Sequence, residues 1–436
     1  MYQNDFSIDE LRMRRQALAR QIGRAMALIV GAPAPVGETD CRQYNDFYYL
    51  CGVEVPQSYL LIDGPSGETT LFLPESDLVP RDDDYPVLCL ENADYVLKTT
   101  GVDKVLPRKA LWSHLASVQD LYLHYLDGEG VMTTYRSLTT LRKLAEADPV
   151  DGRESRADFF RRKIQEKVPG ITVHDVGPII YEMRMLKSER EIALLRKAGQ
   201  LAAGGLCDAM RATRDGVMEY KLAATLQFHY LSGGSDGVGY PPIVAGGENA
   251  FHGHYHINNC PLRDGDMVLV DCAPDYHHYT SDITRMWPVN GTYTPAQRAL
   301  YGFVTEYHKT LLGAIRPGRT CEEIEAEAIE IMRSRVKEFD FATASHATGP
   351  DWMFAFGQHL AHSVGMSVHD GLSHKDRPLE PGMVFAVDPQ MKIEADRLYL
   401  RVEDTGVVTD NGFDVFTADA PLELDDIEAM MRGEVS

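Results

Sequence analysis

Four carboxylates in two matched settings carry the first chemical signal in this sequence. The stretch Leu262-Arg-Asp-Gly-Asp-Met-Val-Leu-Val-Asp271 aligns without a gap on Leu379-Glu-Pro-Gly-Met-Val-Phe-Ala-Val-Asp388. Each copy runs from a leucine through Gly265 or Gly382 and an apolar run to a terminal aspartate. The glycine marks a turn and the apolar run reads as a buried strand. A carboxylate at the end of such a strand needs a partner, because an unpaired buried charge is costly. A second carboxylate follows each copy, in Asp282-Ile-Thr284 and in Glu403-Asp-Thr405. Two matched halves, each sending two carboxylates to one place, point to a duplicated fold around a cation site.

The composition narrows the class. The chain has 436 residues, 44% hydrophobic and 25% charged, which is ample for a sizeable core in two or three domains. A formal net charge of −22 and a sequence pI near 5.1 argue against nucleic-acid or anionic-membrane binding. No apolar run is long enough to span a bilayer, and Met1 to Ser7 shows neither the basic nor the apolar region of a signal peptide. The seven cysteines are odd in number and scattered without a Cys-x-x-Cys spacing, so reduced thiols and a cytoplasmic location are expected. No serine-centred elbow or nucleotide-binding loop competes with the carboxylate pattern.

The elements that must position these groups follow in chain order. A helix is expected from Phe6 to about Arg24, N-capped by Ser7 with Glu10 three positions on. Strands are expected at Ala27–Val30, Asp46–Leu50, Ser58–Ile62, Thr69–Leu73 and Leu121–His124, which together describe a small α/β domain. Residues 145–175 read as a linker with a charged helix, which sets the expected domains at 1–172 and 173–436. Beyond it, Ser188-Glu-Arg-Glu191 is a capping box before an apolar stripe, and a second helix is expected from about Met218 to Leu231. Thr294-Pro-Ala-Gln297 and Thr320-Cys-Glu-Glu323 open a third and a fourth helix. Two helices therefore precede each copy of the carboxylate motif.

Two stretches carry a family resemblance. Cys41-Arg-Gln-Tyr-Asn-Asp-Phe-Tyr-Tyr-Leu-Cys-Gly52, with Glu54-Val-Pro56, resembles the N-terminal domain of aminopeptidase P. The order of helices and strands from residue 173 onward resembles the pita-bread fold shared by aminopeptidase P, prolidase, methionine aminopeptidase and creatinase. The resemblance covers nearly the whole chain and is most specific over residues 243–406. It implies an α/β (α+β) architecture: a small N-terminal α/β domain of the creatinase/prolidase type and a C-terminal pseudo-twofold pita-bread domain.

It also implies a centre of two divalent metal ions on Asp271, Asp282, His362, Asp388 and Glu403, the histidine lying in Gln358-His-Leu-Ala-His-Ser-Val-Gly-Met-Ser-Val-His-Asp370. Four carboxylates and one imidazole form a hard donor set that suits Mn²⁺ first, with Co²⁺, Fe²⁺ or Zn²⁺ as alternatives. The matching family positions make His254 face substrate, His369 stabilise the tetrahedral intermediate, Asp388 serve as general base and Arg401 lie beside the ligands. His252, His254 and His256 alternate, so a strand would put them on one face. The implied reaction is hydrolysis of the N-terminal Xaa-Pro bond of a peptide with proline at its second position, by a homodimer or homotetramer. A dipeptide-only prolidase, or a small-molecule hydrolase or lyase using the same metals, is the alternative; metal-free creatinase-like members lack the ligand set. Two positions depart from the family pattern: its Glu-Pro is Asp388-Pro389 here, and its His-Gly-x-x-His is Gln358-His-Leu-Ala-His362. Both departures bear on efficiency and substrate more than on metal binding.

Overall fold

A computed structural model describes residues 3–35, 41–78, 88–371 and 373–434. The chain divides into two compact units, Met1–Arg184 and Met185–Ser436.

In the first unit the helix Ile8–Ile22 starts as expected, with the Ser7 hydroxyl accepting the Glu10 amide at 3.1 Å. A six-stranded mixed sheet runs in the order Lys104–Pro107, Thr69–Leu73, Tyr59–Asp63, Met26–Val30, Asp120–Leu123, Thr172–Asp175. Asp46–Leu50 is not a strand: Asn45–Cys51 is a helix, all seven of its residues buried, closed by Gly52 in the left-handed region. A short apolar run buried on every side has no periodicity that separates helix from strand. Here Asp46 in the first turn and the left-handed glycine after the last turn decide for the helix.

The expected linker also proves to be part of this unit. The helix Arg156–Lys167 lays Phe160 and Ile164 on a core that includes Leu28, Leu61, Phe72 and Leu121. Thr172–Asp175 then pairs in parallel with Asp120–Leu123 as the edge strand. The unit therefore extends past residue 172 to Arg184, which is buried and paired with Asp46 at 2.7 Å and Glu129 at 2.9 Å.

The second unit repeats one plan twice. The capped helix Glu189–Ala212 and the helix Glu219–Ser232 precede a sheet in the order Ile283–Pro288, Met267–Cys272, Ile243–Gly246. The helices Pro295–Ala314 and Cys321–Arg335, each opened by its expected threonine capping box, precede a sheet in the order Leu360–Ser363, Val384–Val387, Asp404–Val408, Phe413–Val415. Gly265 and Gly382, the matched turn glycines, have φ of +88° and +93°. A side chain there would be strained, so both copies need glycine for the same reason. A bridge between Thr284 and Glu403 joins the two sheets, and one large core fills the space under them. This is the pita-bread fold, two like halves closed on each other.

Candidate metal centre

The two halves meet at their carboxylates. Met267–Cys272 and Ile283–Pro288 are antiparallel, with Thr284 opposite Asp271. Strand alternation puts Asp282 and Thr284 on one face, so both aspartates turn toward the same point. Asp282 stands just ahead of the strand, which begins at Ile283. In the other half Asp388 follows Val384–Val387 and Glu403 precedes Asp404–Val408. His362 lies where the pairing of Leu360–Ser363 with Val384–Val387 shifts register, an irregularity that re-aims a side chain.

The ligand atoms of Asp282, His362 and Glu403 lie within 4.8 Å of one another. His362 Nε2 is 3.4 Å from Asp282 Oδ2 and 3.9 Å from Glu403 Oε1. The Arg401 guanidinium reaches Asp271 Oδ2 at 3.1 Å and Asp388 Oδ1 at 2.7 Å, and also donates to Glu403. The His369 ring stands edge-on to the His362 ring, centroids 4.1 Å apart. The five expected ligands, Arg401 and His369 are thus brought together. The segment that carries His254 is not the expected strand: after the 3-10 turn Gly247–His252 it is irregular, and His254 is exposed with its ring parallel to that of His256.

The electrostatics fit a divalent cation centre. Four buried carboxylates face one guanidinium, and the buried Glu403 Oε1 accepts no hydrogen bond. Burial, together with the neighbouring carboxylates, pushes Asp271 up to about 7 and Glu403 well above the usual carboxylate range, with Arg401 opposing. Burial also raises Asp388. Burial works the same way on Asp282, but His362 and Arg401 outweigh it and bring the group below its ordinary value. Carboxylates crowded until they resist ionisation have a use when cations are to be bound among them. The oxygen-rich set with one imidazole matches hard divalent ions.

Several further residues hold the ligands in place. Tyr240 donates its hydroxyl to Asp282 Oδ1 at 2.5 Å and shares it with Asp271 Oδ1. Thr284 Oγ1 donates to Glu403 Oε2 at 2.9 Å, while Thr405 Oγ1 accepts the Asp282 amide at 2.9 Å and donates to the Asp282 carbonyl at 2.8 Å. These are the threonines of the two matched follower triplets, so each half braces a ligand of the other. Behind them Arg285 donates to the Glu403 carbonyl at 2.8 Å and to both Asp404 oxygens at 2.8 and 3.0 Å. Asp404 also receives Thr417 at 2.5 Å and meets His308 Nε2 at 2.8 Å. Gln358 is exposed at φ +60°, its amide and that of Leu360 held by Glu325 at 2.9 and 3.1 Å. The buried pair Lys187–Asp370, at 2.9 Å, fixes the residue next to His369.

A duplicated α/β frame that closes two carboxylate-bearing halves around a cation site defines a metallohydrolase of the pita-bread class. Residues 193–410 match the model of metallopeptidase family M24, and residues 11–122 match that of the aminopeptidase P N-terminal domain. The chain belongs to metallopeptidase family M24. It is 33% identical to the Xaa-Pro aminopeptidase of Escherichia coli over 98% of both chains. It is 31% identical to human Xaa-Pro aminopeptidase 3, over 89% of this chain and 76% of that one. The structure of zinc-substituted Escherichia coli aminopeptidase P in complex with product superposes with a TM-score of 0.80 at 29% identity, covering 99% of each chain.

Proposed function

We propose that this metallopeptidase removes the N-terminal residue from peptides with proline at the second position. The observation that carries the proposal is the convergence of Asp271, Asp282, His362, Asp388 and Glu403, from both halves, beside a buried Glu403 oxygen with no hydrogen-bond partner. The likeness to Xaa-Pro aminopeptidases over nearly the full chain supports the substrate class.

Those five residues would hold two divalent ions, Mn²⁺ first among them. Bound there, such ions lower the pKa of water and polarise a scissile carbonyl. The Asp388 carboxylate takes the proton of the attacking water, oriented for it by Arg401 Nε at 2.7 Å. His369, beside His362, donates toward the oxygen of the tetrahedral intermediate, and His254 contributes from the substrate side. Arg401 orients three carboxylates from one guanidinium and keeps them from separating.

Hydrolysis of Xaa-Pro peptides of two, three and more residues, with Mn²⁺ added, tests this reading. Cleavage is expected for three residues and longer, and is abolished in Asp271→Ala and His362→Ala while the fold persists. Cleavage of dipeptides alone would make the protein a prolidase, and failure on all three lengths would move it to small-molecule chemistry. The proposal extends to a cytoplasmic homodimer or homotetramer. The seven cysteines are free thiols, and among the described residues no helix is long and apolar enough to cross a membrane. Light scattering at micromolar concentration reads the assembly.

A further inference from the structure

Asp388 stands where the family pattern has a glutamate, and its carboxylate falls short of that pattern by one methylene, about 1.5 Å. A general base works at heavy-atom contact, and a misplacement of about 1 Å can cost on the order of a hundredfold in rate. The structure assigns the compensation to a side chain outside the ligand set: we propose that Gln390 is a positioning residue that locks the Asp388 carboxylate and fits this centre to an aspartate. The inference rests on the metallopeptidase reading above.

The geometry is a vice with one jaw on each oxygen. Pro389 turns the chain from the strand Val384–Val387 into the ribbon Gln390–Ile393, which pairs with Leu398–Arg401. Gln390 sits directly opposite Arg401 in that ribbon. Residues directly opposite in an antiparallel pair project to the same face. Both side chains accordingly come to Asp388, Gln390 Nε2 on Oδ2 at 2.6 Å and Arg401 Nε on Oδ1 at 2.7 Å. The backbone is pinned as well, by the Asp388 amide on the His359 carbonyl at 2.7 Å.

The two jaws differ in chemistry. Arg401 is cationic and divided among Asp271, Asp388 and Glu403. The Gln390 carboxamide is neutral, so it orients Oδ2 without cancelling charge that a cation needs. Each carboxylate oxygen keeps a lone pair after accepting one donor, which leaves Asp388 able to ligate and to accept a proton. A glutamate at 388 would carry its oxygens into the space that the Gln390 amide occupies. The two positions are therefore coupled, and the sign of the coupling is predictable.

A double-mutant cycle with Mn²⁺ affinity, kcat and KM as readouts tests this. Asp388→Glu, Gln390→Ala and the isosteric Gln390→Met are made singly, and Asp388→Glu is combined with Gln390→Ala. Each single variant is expected to weaken Mn²⁺ binding on the order of tenfold and to lower kcat more than it changes KM. The combined variant is expected to bind Mn²⁺ and turn over better than either of its parents, because the longer acid then has room. Gln390 is half-buried at the end of a ribbon, so thermal midpoints should hold. The proposal is overturned if Gln390→Met stays within about twofold of wild type in Mn²⁺ affinity and kcat, or if the two substitutions combine additively. Mn²⁺ binding needs no peptide, so a failure of Xaa-Pro hydrolysis would sink the substrate reading and leave the Gln390 test standing.

Discussion

His374 is a histidine kept neutral by its surroundings. It is buried, its Nδ1 meets Ser363 Oγ at 3.2 Å, its Nε2 has no partner, and its ring stacks on Phe385 with centroids 4.6 Å apart. Burial, aided by Lys375, His362 and Lys187, pulls its pKa from the ordinary 6.5 down to about 3. Between those values the unfolded chain binds a proton that the folded chain refuses. Stability is therefore fully present above about pH 6.5 and declines as pH falls, by about 1.4 kcal/mol per pH unit. Urea unfolding in EDTA should show wild type losing about 2 kcal/mol more than His374→Phe between pH 6.5 and pH 5. An equal loss in both proteins would refute the assignment. At this scale the sequence was most informative for charged groups at the ends of patterned strands. Asp271 and Asp388 are legible because an apolar run leads to each. Tyr240 was not legible, because it lies in Gly239-Tyr-Pro-Pro242, far from either copy, and only the fold delivers its hydroxyl to Asp271 and Asp282.

At the scale of elements, the strands that carry the ligands are tied from behind by a buried ion pair. Burial works against the Asp404 charge, yet Arg285 and His308 hold its carboxyl at about 2. Removing one member of such a pair leaves the other uncompensated, at about 3–5 kcal/mol. Arg285→Met should lose that much by chemical denaturation, and adding Asp404→Asn should recover part of it. A loss no larger than that of an exposed arginine substitution would mean that the pair does not tie Ile283–Pro288 to Asp404–Val408. Helix starts were readable, since Ser188, Thr294 and Thr320 each cap where the local pattern places a cap. Asn45–Cys51 and the segment after His252 were not, because burial on all sides in one and loop anchoring in the other leave no period to read. In the latter, Glu219 accepts Gly246 N, Asn249 Nδ2, Tyr255 OH and Cys260 N, each at 2.9 Å, and so shapes the turn from a distance in sequence. The helix Arg156–Lys167 looked like a linker because its charges dominate its composition, while Phe160 and Ile164 do its packing.

For the whole molecule, two compact units and one metal-bearing unit predict unequal responses to metal. A ligand bound only by the folded state stabilises by about 2.7 kcal/mol at a hundredfold excess over Kd. In scanning calorimetry Mn²⁺ should raise the transition of Met185–Ser436 and leave that of Met1–Arg184 where it was. A shift of both by the same amount would show that the units unfold as one. The duplicated plan was legible from the ten-residue match alone, but the way the halves depend on each other was not. Thr284 of the first copy steadies Glu403 of the second, and Thr405 of the second steadies Asp282 of the first. Each repeat thus braces a ligand of the other as well as its own. Inheritance must therefore treat the pair as one locus: a drift in either copy is felt in its twin, so neither half can decay, or be exchanged for a foreign one, while the other goes on unchanged.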